Sequence, residues 1–304
     1  MDNVVPLRHD VYRATPQPLM GLGGTMYQHL EYLRLAGREP ATVYARQRAL
    51  VRLRAAMGVP LLEATEADVM RWRAGLAVDS DTVRQYVSHV HQFYAWAVRA
   101  RLLAVSPAEG LPVPPRSRRL PRPIADPELF AAIAGAPPRI LPWLVLAGWA
   151  GLRAKEIALL RRECVLDTAR PPVLIIAYDA TKGRRERVVP LCSFAAGVLI
   201  PVLPPSGWVF RRADRRPGPN TPARVSKLAN EHLHGLGIAA TLHQLRHRFG
   251  SSSYHISRDL RAVQEWMGHA KPETTAGYVL VDQAGAAEVL EQLPVPGRLQ
   301  AVGE

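Results

Sequence analysis

The first hundred residues have apolar positions spaced as on an α-helix. The clearest case runs from Asp81 to Arg101, where apolar side chains recur every three or four positions, at Val83, Tyr86, Val87, Val90, Tyr94, Ala97 and Val98. Similar spacing predicts three earlier helices, over residues 26–36, 40–57 and 65–75. Thr65 and Asp68 have the spacing of a capping box at the start of the third. The pattern therefore predicts a four-helix domain over residues 21–105.

The pattern after residue 124 mixes the helical period with that of strands. Short runs rich in β-branched residues predict strands at Cys164–Leu166, Val173–Tyr178 and Glu186–Val189. Helices are predicted to begin at Asp126 and Arg153, and to cover residues 141–150, 221–234 and 285–293. The expected fold class is therefore mainly α with a small antiparallel β-sheet. A helical N-terminal domain would be followed by an α+β domain over residues 125–304.

In two segments the apolar positions follow neither the helical period nor the strand period. Residues 1–20 contain Pro6, Pro16 and Pro18, and we expect them to form an irregular arm. Residues 106–124 contain repeated prolines and several arginines. Because proline removes a backbone donor and fixes φ, this stretch is predicted to be an extended, fairly stiff and basic linker between the two domains.

The charge of the chain indicates the kind of partner. The 304 residues carry 39 Lys and Arg against 26 Asp and Glu, a formal net charge of +13. Such a charge favours a polyanion, most simply nucleic acid, although a basic protein with no nucleic-acid role would have the same composition. Cys164 and Cys192 are too few for a disulfide framework, and no apolar run is long enough to span a bilayer. We expect a cytoplasmic protein with no membrane partner.

The side chains best suited to catalysis lie between Thr241 and Tyr278. His243 and Arg246 are three apart on a predicted helix and share a face, so an imidazole and a guanidinium can approach one oxyanion. His243 and His247 also share a face, which is a zinc-ligand spacing. No acidic residue follows His243 and no cysteine lies nearby, so we expect no metal site. His247 is expected to be a core histidine.

Four positions in this stretch have the order and spacing of the catalytic core of the tyrosine site-specific recombinases, the phage integrase and Xer family: His243, Arg246, Gly268-His269 and Tyr278. Upstream, Gly151–Leu160 resembles the segment that supplies the first active-site arginine, here Arg153, with Glu156 as its structural neighbour. Thr181–Leu191 resembles the β-hairpin of the family that carries the catalytic lysine, here Lys182.

The resemblance implies a role for each residue at a DNA phosphodiester. Tyr278 would be the nucleophile and would form a 3′-phosphotyrosyl link. Arg153 and Arg246 would bind the non-bridging oxygens and stabilise the charge of the transition state. His243 would assist proton transfer at the nucleophile.

Two further residues complete the set that the resemblance implies. Lys182 would protonate the departing 5′ oxygen, a task that suits an amine whose pKa is lowered near arginines. His269 would hydrogen-bond the phosphate or orient the tyrosine. Because arginines and a lysine supply the positive charge, we expect no metal and no other cofactor.

The helical first domain resembles, in architecture and position, the core-binding domain of the family. Its expected partner is double-stranded DNA with a specific core recombination site. The candidate DNA contacts are Arg46, Arg48, Arg52, Arg84, Arg118 and Arg119. In the family, four protomers assemble by passing a C-terminal helix to a neighbour. The residues suited to that exchange here are Ala286, Val289, Leu290 and Leu293.

Three functions remain open at this stage. The first is a site-specific recombinase that gives integration, excision, resolution or inversion. A type IB topoisomerase with similar chemistry and a non-catalytic DNA-binding relative are the alternatives. The complete catalytic set argues against the last, and the short chain with a basic helical N-terminal domain favours recombination over relaxation.

Overall fold

The computed structural model of the chain describes residues 24–116, 122–177, 180–181, 186–213 and 217–268. The chain divides into two compact units, Met1–Arg119 and Leu120–Glu304. The predicted arm over residues 1–20 and the predicted helix over 285–293 lie outside the described residues.

Four helices build the described part of the first unit: α1 (Gly24–Leu35), α2 (Pro40–Met57), α3 (Glu66–Ala74) and α4 (Ser80–Arg99). The predicted capping box is confirmed, because the Thr65 backbone N donates to Asp68 Oδ2 at 3.0 Å and the Asp68 backbone N donates to Thr65 Oγ1 at 3.3 Å. The predicted apolar stripe of α4 faces the core, where Val87, Val90 and Tyr94 are each 0% exposed. The four predicted helices are therefore confirmed.

One of the candidate DNA contacts lies in this core. Arg46 is 2% exposed, and its guanidinium donates to Gln92 Oε1 at 2.6 Å and to the His89 carbonyl at 3.3 Å. Burial, followed by the nearby charge of Arg38, lowers the pKa of Arg46 to about 10. In this structure the side chain joins α2 to α4 and does not present its charge at the surface.

The packed part of the first unit continues into the predicted linker. Ala108 and Leu111 are 0% and 4% exposed and belong to the core formed with α4. Along α4, Arg84 Nη1 donates to the Pro114 carbonyl at 2.6 Å, and a ring nitrogen of His91 lies 3.1 Å from the Leu111 carbonyl. The first half of the predicted linker is therefore docked on the first unit and is not an extended strap there.

The described part of the second unit consists, in chain order, of α5 (Asp126–Ala134), α6 (Leu141–Trp149), α7 (Ala154–Ala158), β1 (Val165–Leu166), β2 (Val173–Ile176), β3 (Arg187–Pro190), α8 (Ser193–Leu199), α9 (Pro222–Gly235), α10 (Leu242–Ser257) and α11 (Leu260–Met267). The three strands form an antiparallel sheet in the order β1-β2-β3. A mainly helical chain with a small antiparallel sheet is the predicted fold class, which is confirmed.

The second core is centred on α6, which packs against α8 and α10. It is continuous with the inner face of the sheet, where Leu174 and Val189 are 0% and 1% exposed. None of the helices in the described parts of the chain is long and apolar enough to cross a membrane.

A buried histidine, His29, and a half-buried one, His89, predict how the stability of the first unit depends on pH. Burial, followed by the charges of Arg46 and Arg99, lowers the pKa of His29 from 6.5 to about 4, and burial with Arg46 does the same for His89. Below about pH 6.5 these histidines take up protons in the unfolded chain but not in the folded chain. Their contribution to the free energy of unfolding is therefore complete above that pH and is lost as the pH falls towards 4.

We expect His29→Leu to remove one of these contributions. Between pH 7 and about pH 4.5 the variant should lose about 2.5 kcal/mol less free energy of unfolding than the wild type. Urea denaturation at a series of pH values measures the difference. His234, whose side chain is exposed on α9, provides the control His234→Leu, and an equal change of pH dependence in both variants would contradict the assignment to His29.

Candidate active site

A buried carboxylate, that of Glu156, lies at the polar centre of the second unit. Its side chain is 0% exposed. The Arg153 backbone N donates to its Oε2 at 2.8 Å, and Arg153 Nη1 donates to its Oε1 at 2.9 Å. Burial alone would raise the pKa of Glu156, but the hydrogen bonds and charge of Arg187, then the charges of Arg246 and Arg153, lower it to about 2. The carboxylate is therefore ionised at neutral pH.

The second arginine on this carboxylate, Arg187 in β3, is not among the predicted site residues. Its Nη1 donates to Glu156 Oε1 at 3.0 Å and its Nη2 to Oε2 at 2.9 Å, and the side chain is 8% exposed. Strand alternation is the signal that could have identified it. Val189, two positions further, is 1% exposed, so Arg187 lies on the core side of the strand, where a charge needs a partner.

The third arginine comes from α10, whose first turn is held at two points. The Thr241 backbone N donates to Gln244 Oε1 at 2.9 Å, and the Leu242 backbone N donates to Asn230 Oδ1 of α9 at 2.8 Å. Leu242 and Leu245 are buried at 2% and 0% exposure. These contacts fix the rotation of α10 about its axis, and with it the direction of the side chains on the other faces of the helix.

Arg246 projects from α10 into the protein interior and is 2% exposed. Its Nη1 lies 3.8 Å from Glu156 Oε2 and donates to the Gly151 carbonyl, while its Nη2 donates to the Met267 carbonyl at 2.6 Å. One guanidinium therefore joins α10 to the loop before α7 and to the end of α11.

The same three arginines hold the C-terminal end of α11. Its last carbonyls accept in succession, Trp266 from Arg187 at 2.7 Å, Met267 from Arg246 at 2.6 Å and Gly268 from Arg153 at 3.2 Å. The final carbonyls of a helix have no partner within the helix and carry partial negative charge, so cations stabilise them. The end of α11 is thus fixed relative to Glu156.

Two histidines of α10 lie against each other beside this cluster. The ring centroids of His243 and His247 are 4.5 Å apart at an interplanar angle of 69°. Surrounding protein atoms, then the charges of Arg246 and Arg153, lower the pKa of His243 from its usual 6.5. Burial, then His243 and Arg246, lower the pKa of His247 to about 4. Both rings are therefore neutral at pH 7.

The described residues bring together three of the six predicted catalytic residues, Arg153, His243 and Arg246. The other three, Lys182, His269 and Tyr278, lie outside the described residues. Strands β2 and β3 flank the segment that contains Lys182, with Ile176 opposite Arg187.

The predicted DNA contacts of the first unit differ in their surroundings. Arg48 and Arg52 are exposed on α2. The Arg48 guanidinium lies 5.9 Å from the centre of the Tyr44 ring, and Arg52 Nη1 donates to the Tyr86 hydroxyl at 2.7 Å. Arg84 is half-buried against the docked part of the predicted linker. The other two candidates, Arg118 and Arg119, lie outside the described residues.

The fold places three arginines around one buried carboxylate beside a small antiparallel sheet. The Phage integrase family pattern matches residues 129–284, more than half of the chain. Tyrosine recombinase XerC of Xylella fastidiosa (strain 9a5c) is 34% identical over 222 residues, which cover 69% of this chain and 72% of that protein. XerC of Rhodospirillum centenum is 33% identical over 242 residues, covering 72% and 69%. The chain therefore belongs to the phage integrase family, the tyrosine recombinases.

Solved structures have the same fold at low sequence identity. A lambda integrase (residues 75–356) dimer bound to a COC′ core site matches with a TM-score of 0.68 at 15% identity, covering 84% of this chain and 94% of that one. XerH site-specific recombinase bound to a palindromic difH substrate matches with a TM-score of 0.66 at 16% identity, covering 88% and 83%.

Gly151 provides a test of how tightly the loop before α7 packs against α10. Its φ is +63°, and a Cβ added there would lie 2.4 Å from a ring carbon of Phe249. We expect Gly151→Ala to lower the free energy of unfolding by about 2–5 kcal/mol, because it combines left-handed strain with overpacking against an aromatic ring. Chemical denaturation of the purified chain measures the loss.

Gly237 is the matched control, since its φ is +75° and nothing lies within 4 Å of an added Cβ. We expect Gly237→Ala to cost only the left-handed strain, about 1–2 kcal/mol. Equal losses in the two variants would show that Phe249 moves away at little cost and that the contact does not restrain the site.

Proposed function

We propose that this chain is an active site-specific DNA recombinase, which cleaves and rejoins DNA strands through a 3′-phosphotyrosyl intermediate. The observation that carries the proposal is that Arg153 and Arg246 meet at one ionised carboxylate, that of Glu156, in a chain of this family. His243 lies on the same helix as Arg246, close enough for both arginines to lower its pKa. Guanidinium groups bind phosphate oxygens through paired donors, and two of them stabilise the extra negative charge of a pentacoordinate phosphorus.

The nucleophile in this proposal is Tyr278. A tyrosine hydroxyl has an ordinary pKa near 10, so at neutral pH it needs a base to take its proton. The lowered pKa of His243 leaves its imidazole neutral and able to accept that proton. Attack by the tyrosine oxygen forms the bond to phosphorus and breaks the bond to the 5′ oxygen.

Two residues complete the reaction in the proposal. Lys182 donates a proton to the departing 5′ oxygen, and His269 hydrogen-bonds the phosphate or orients Tyr278. The phosphotyrosyl link keeps the energy of the broken phosphodiester. The 5′ hydroxyl of a partner strand can therefore attack it, release the tyrosine and restore the DNA backbone without an external energy source.

The proposed partner is double-stranded DNA with a specific core site, bound by four protomers. This is supported by the similarity of the fold to a lambda integrase tetramer bound to a Holliday junction, with a TM-score of 0.63. In the first unit, the exposed Arg48 and Arg52 are suited to phosphate contact, because Tyr44 and Tyr86 restrain their side chains. XerC relatives in bacteria support action in the cytoplasm.

We expect Tyr278→Phe to abolish covalent attachment to DNA and to leave site binding within about threefold of wild type, because one oxygen and no cation is removed. The substrate is a nicked suicide duplex built on a core site, which is obtained by sequencing DNA trapped covalently on the wild-type protein in cells. A slower-migrating covalent species with the Phe variant would show that another residue is the nucleophile. Relaxation of a plasmid without the site would instead support a topoisomerase.

Chelation tests the source of positive charge in the reaction. We expect single-turnover cleavage of the same duplex to continue at the wild-type rate in excess EDTA, because arginines and a lysine neutralise the phosphate in this proposal. Gel separation of covalent and free protein over time measures the rate. Loss of cleavage that a divalent ion restores would overturn the mechanism.

A further inference from the structure

The three arginines do not share the Glu156 carboxylate equally. Arg187 donates to both oxygens, at 3.0 and 2.9 Å, and Arg153 also reaches both, through Nη1 at 2.9 Å and its backbone N at 2.8 Å. A carboxylate offers about four lone-pair sites, so these four bonds fill it. Nη1 of Arg246 remains 3.8 Å from Oε2, outside hydrogen-bond distance.

This filling of the carboxylate affects the arginine that is proposed to bind phosphate. A guanidinium paired directly with a buried carboxylate gives those donors to the carboxylate and withholds them from a substrate. If Arg187 were removed, one lone pair would open on each oxygen of Glu156, and one of these oxygens, Oε2, lies 3.8 Å from Arg246 Nη1. One of the three positive charges around the carboxylate would be lost at the same time.

Arg187 also joins two elements that lead to predicted catalytic residues. Its Nε donates to the Trp266 carbonyl at 2.7 Å, and an added Cβ at Gly268 would lie 2.8 Å from its Nη1. Arg187 follows Lys182 by five positions, and Trp266 precedes His269 by three. The same side chain therefore fixes the end of β3 nearest the lysine against the end of α11 nearest the histidine.

We propose that Arg187 is a positioning residue of the cleavage site, which saturates the Glu156 carboxylate so that Arg246 serves the phosphate, and which ties β3 to the end of α11. The inference rests on the proposed recombinase function and deepens it. Arg187 acts through other residues, because its side chain is 8% exposed and each of its three guanidinium nitrogens donates to a partner within the chain.

The test is Arg187→Gln, assayed by single-turnover cleavage of the suicide duplex described above. We expect cleavage to slow by about 100-fold, the scale of losing one charged donor at a phosphate, while site binding changes by less than about threefold. A second duplex carries a neutral methylphosphonate at the scissile position. Because that substrate needs less positive charge, the ratio of wild-type to variant rates should fall to about 10 or less.

Arg162 supplies a matched control in the same unit. It donates to both oxygens of Asp167 at 3.1 Å and to the Val165 carbonyl at 2.7 Å, so Arg162→Gln also removes a two-point ion pair and a carbonyl contact. Among the described residues, it makes none of the contacts to Glu156. We expect this variant to lose stability but to cleave both duplexes at the wild-type rate per folded molecule.

The outcomes separate the two proposals. If wild-type protein forms no Tyr278-dependent covalent complex, the recombinase function fails. If wild type cleaves and Arg187→Gln cleaves equally fast, only the role of Arg187 is overturned. The role is also overturned if the variant is equally slow relative to wild type on both duplexes, since a merely structural defect does not depend on the charge of the substrate.

Discussion

The second unit depends on one ionised carboxylate placed where water is excluded. Removing a carboxylate and several guanidinium groups from water is costly, and the cost is offset only when every lone pair and donor is well paired. Glu156 meets that condition with four hydrogen bonds from Arg153 and Arg187. Without its charge, three guanidinium groups at close range would repel one another, so the geometry of the arginines depends on the carboxylate.

The cluster also explains how small elements form a rigid site. The helix α7 has only five residues, and the strands have two to four, so none of them is stable alone. The arginines connect α7, β3 and α10 to three successive carbonyls of α11. Each arginine thus links the element that carries it to the end of α11. The rigidity of the site therefore depends on how firmly these elements pack against one another.

The excess of arginine serves more than one purpose. Arg46 and Arg187 are 2% and 8% exposed and pair with oxygens of the chain itself, whereas Arg48 and Arg52 are exposed on α2. The buried arginines count towards the net charge of +13. That number therefore overstates the positive charge that the surface of the protein offers to a polyanion. Composition indicates the class of partner, but burial decides which arginines can meet it.

The sequence alone determined the features that depend on neighbouring residues. The stripe of α4, the capping box at Thr65 and the three strands follow from local periodicity and hydrogen bonding, and the spacing of His243 and Arg246 places them on adjacent turns of one helix. Only the tertiary structure revealed the burial of Arg46, the docking of Leu111 and the contacts of Arg187 with Glu156 and α11. These depend on pairs 20 to 79 residues apart, such as His91 with Leu111 and Arg187 with Trp266. Local pattern carries no information about such pairs, because several arginines compete for one carboxylate and packing selects among them.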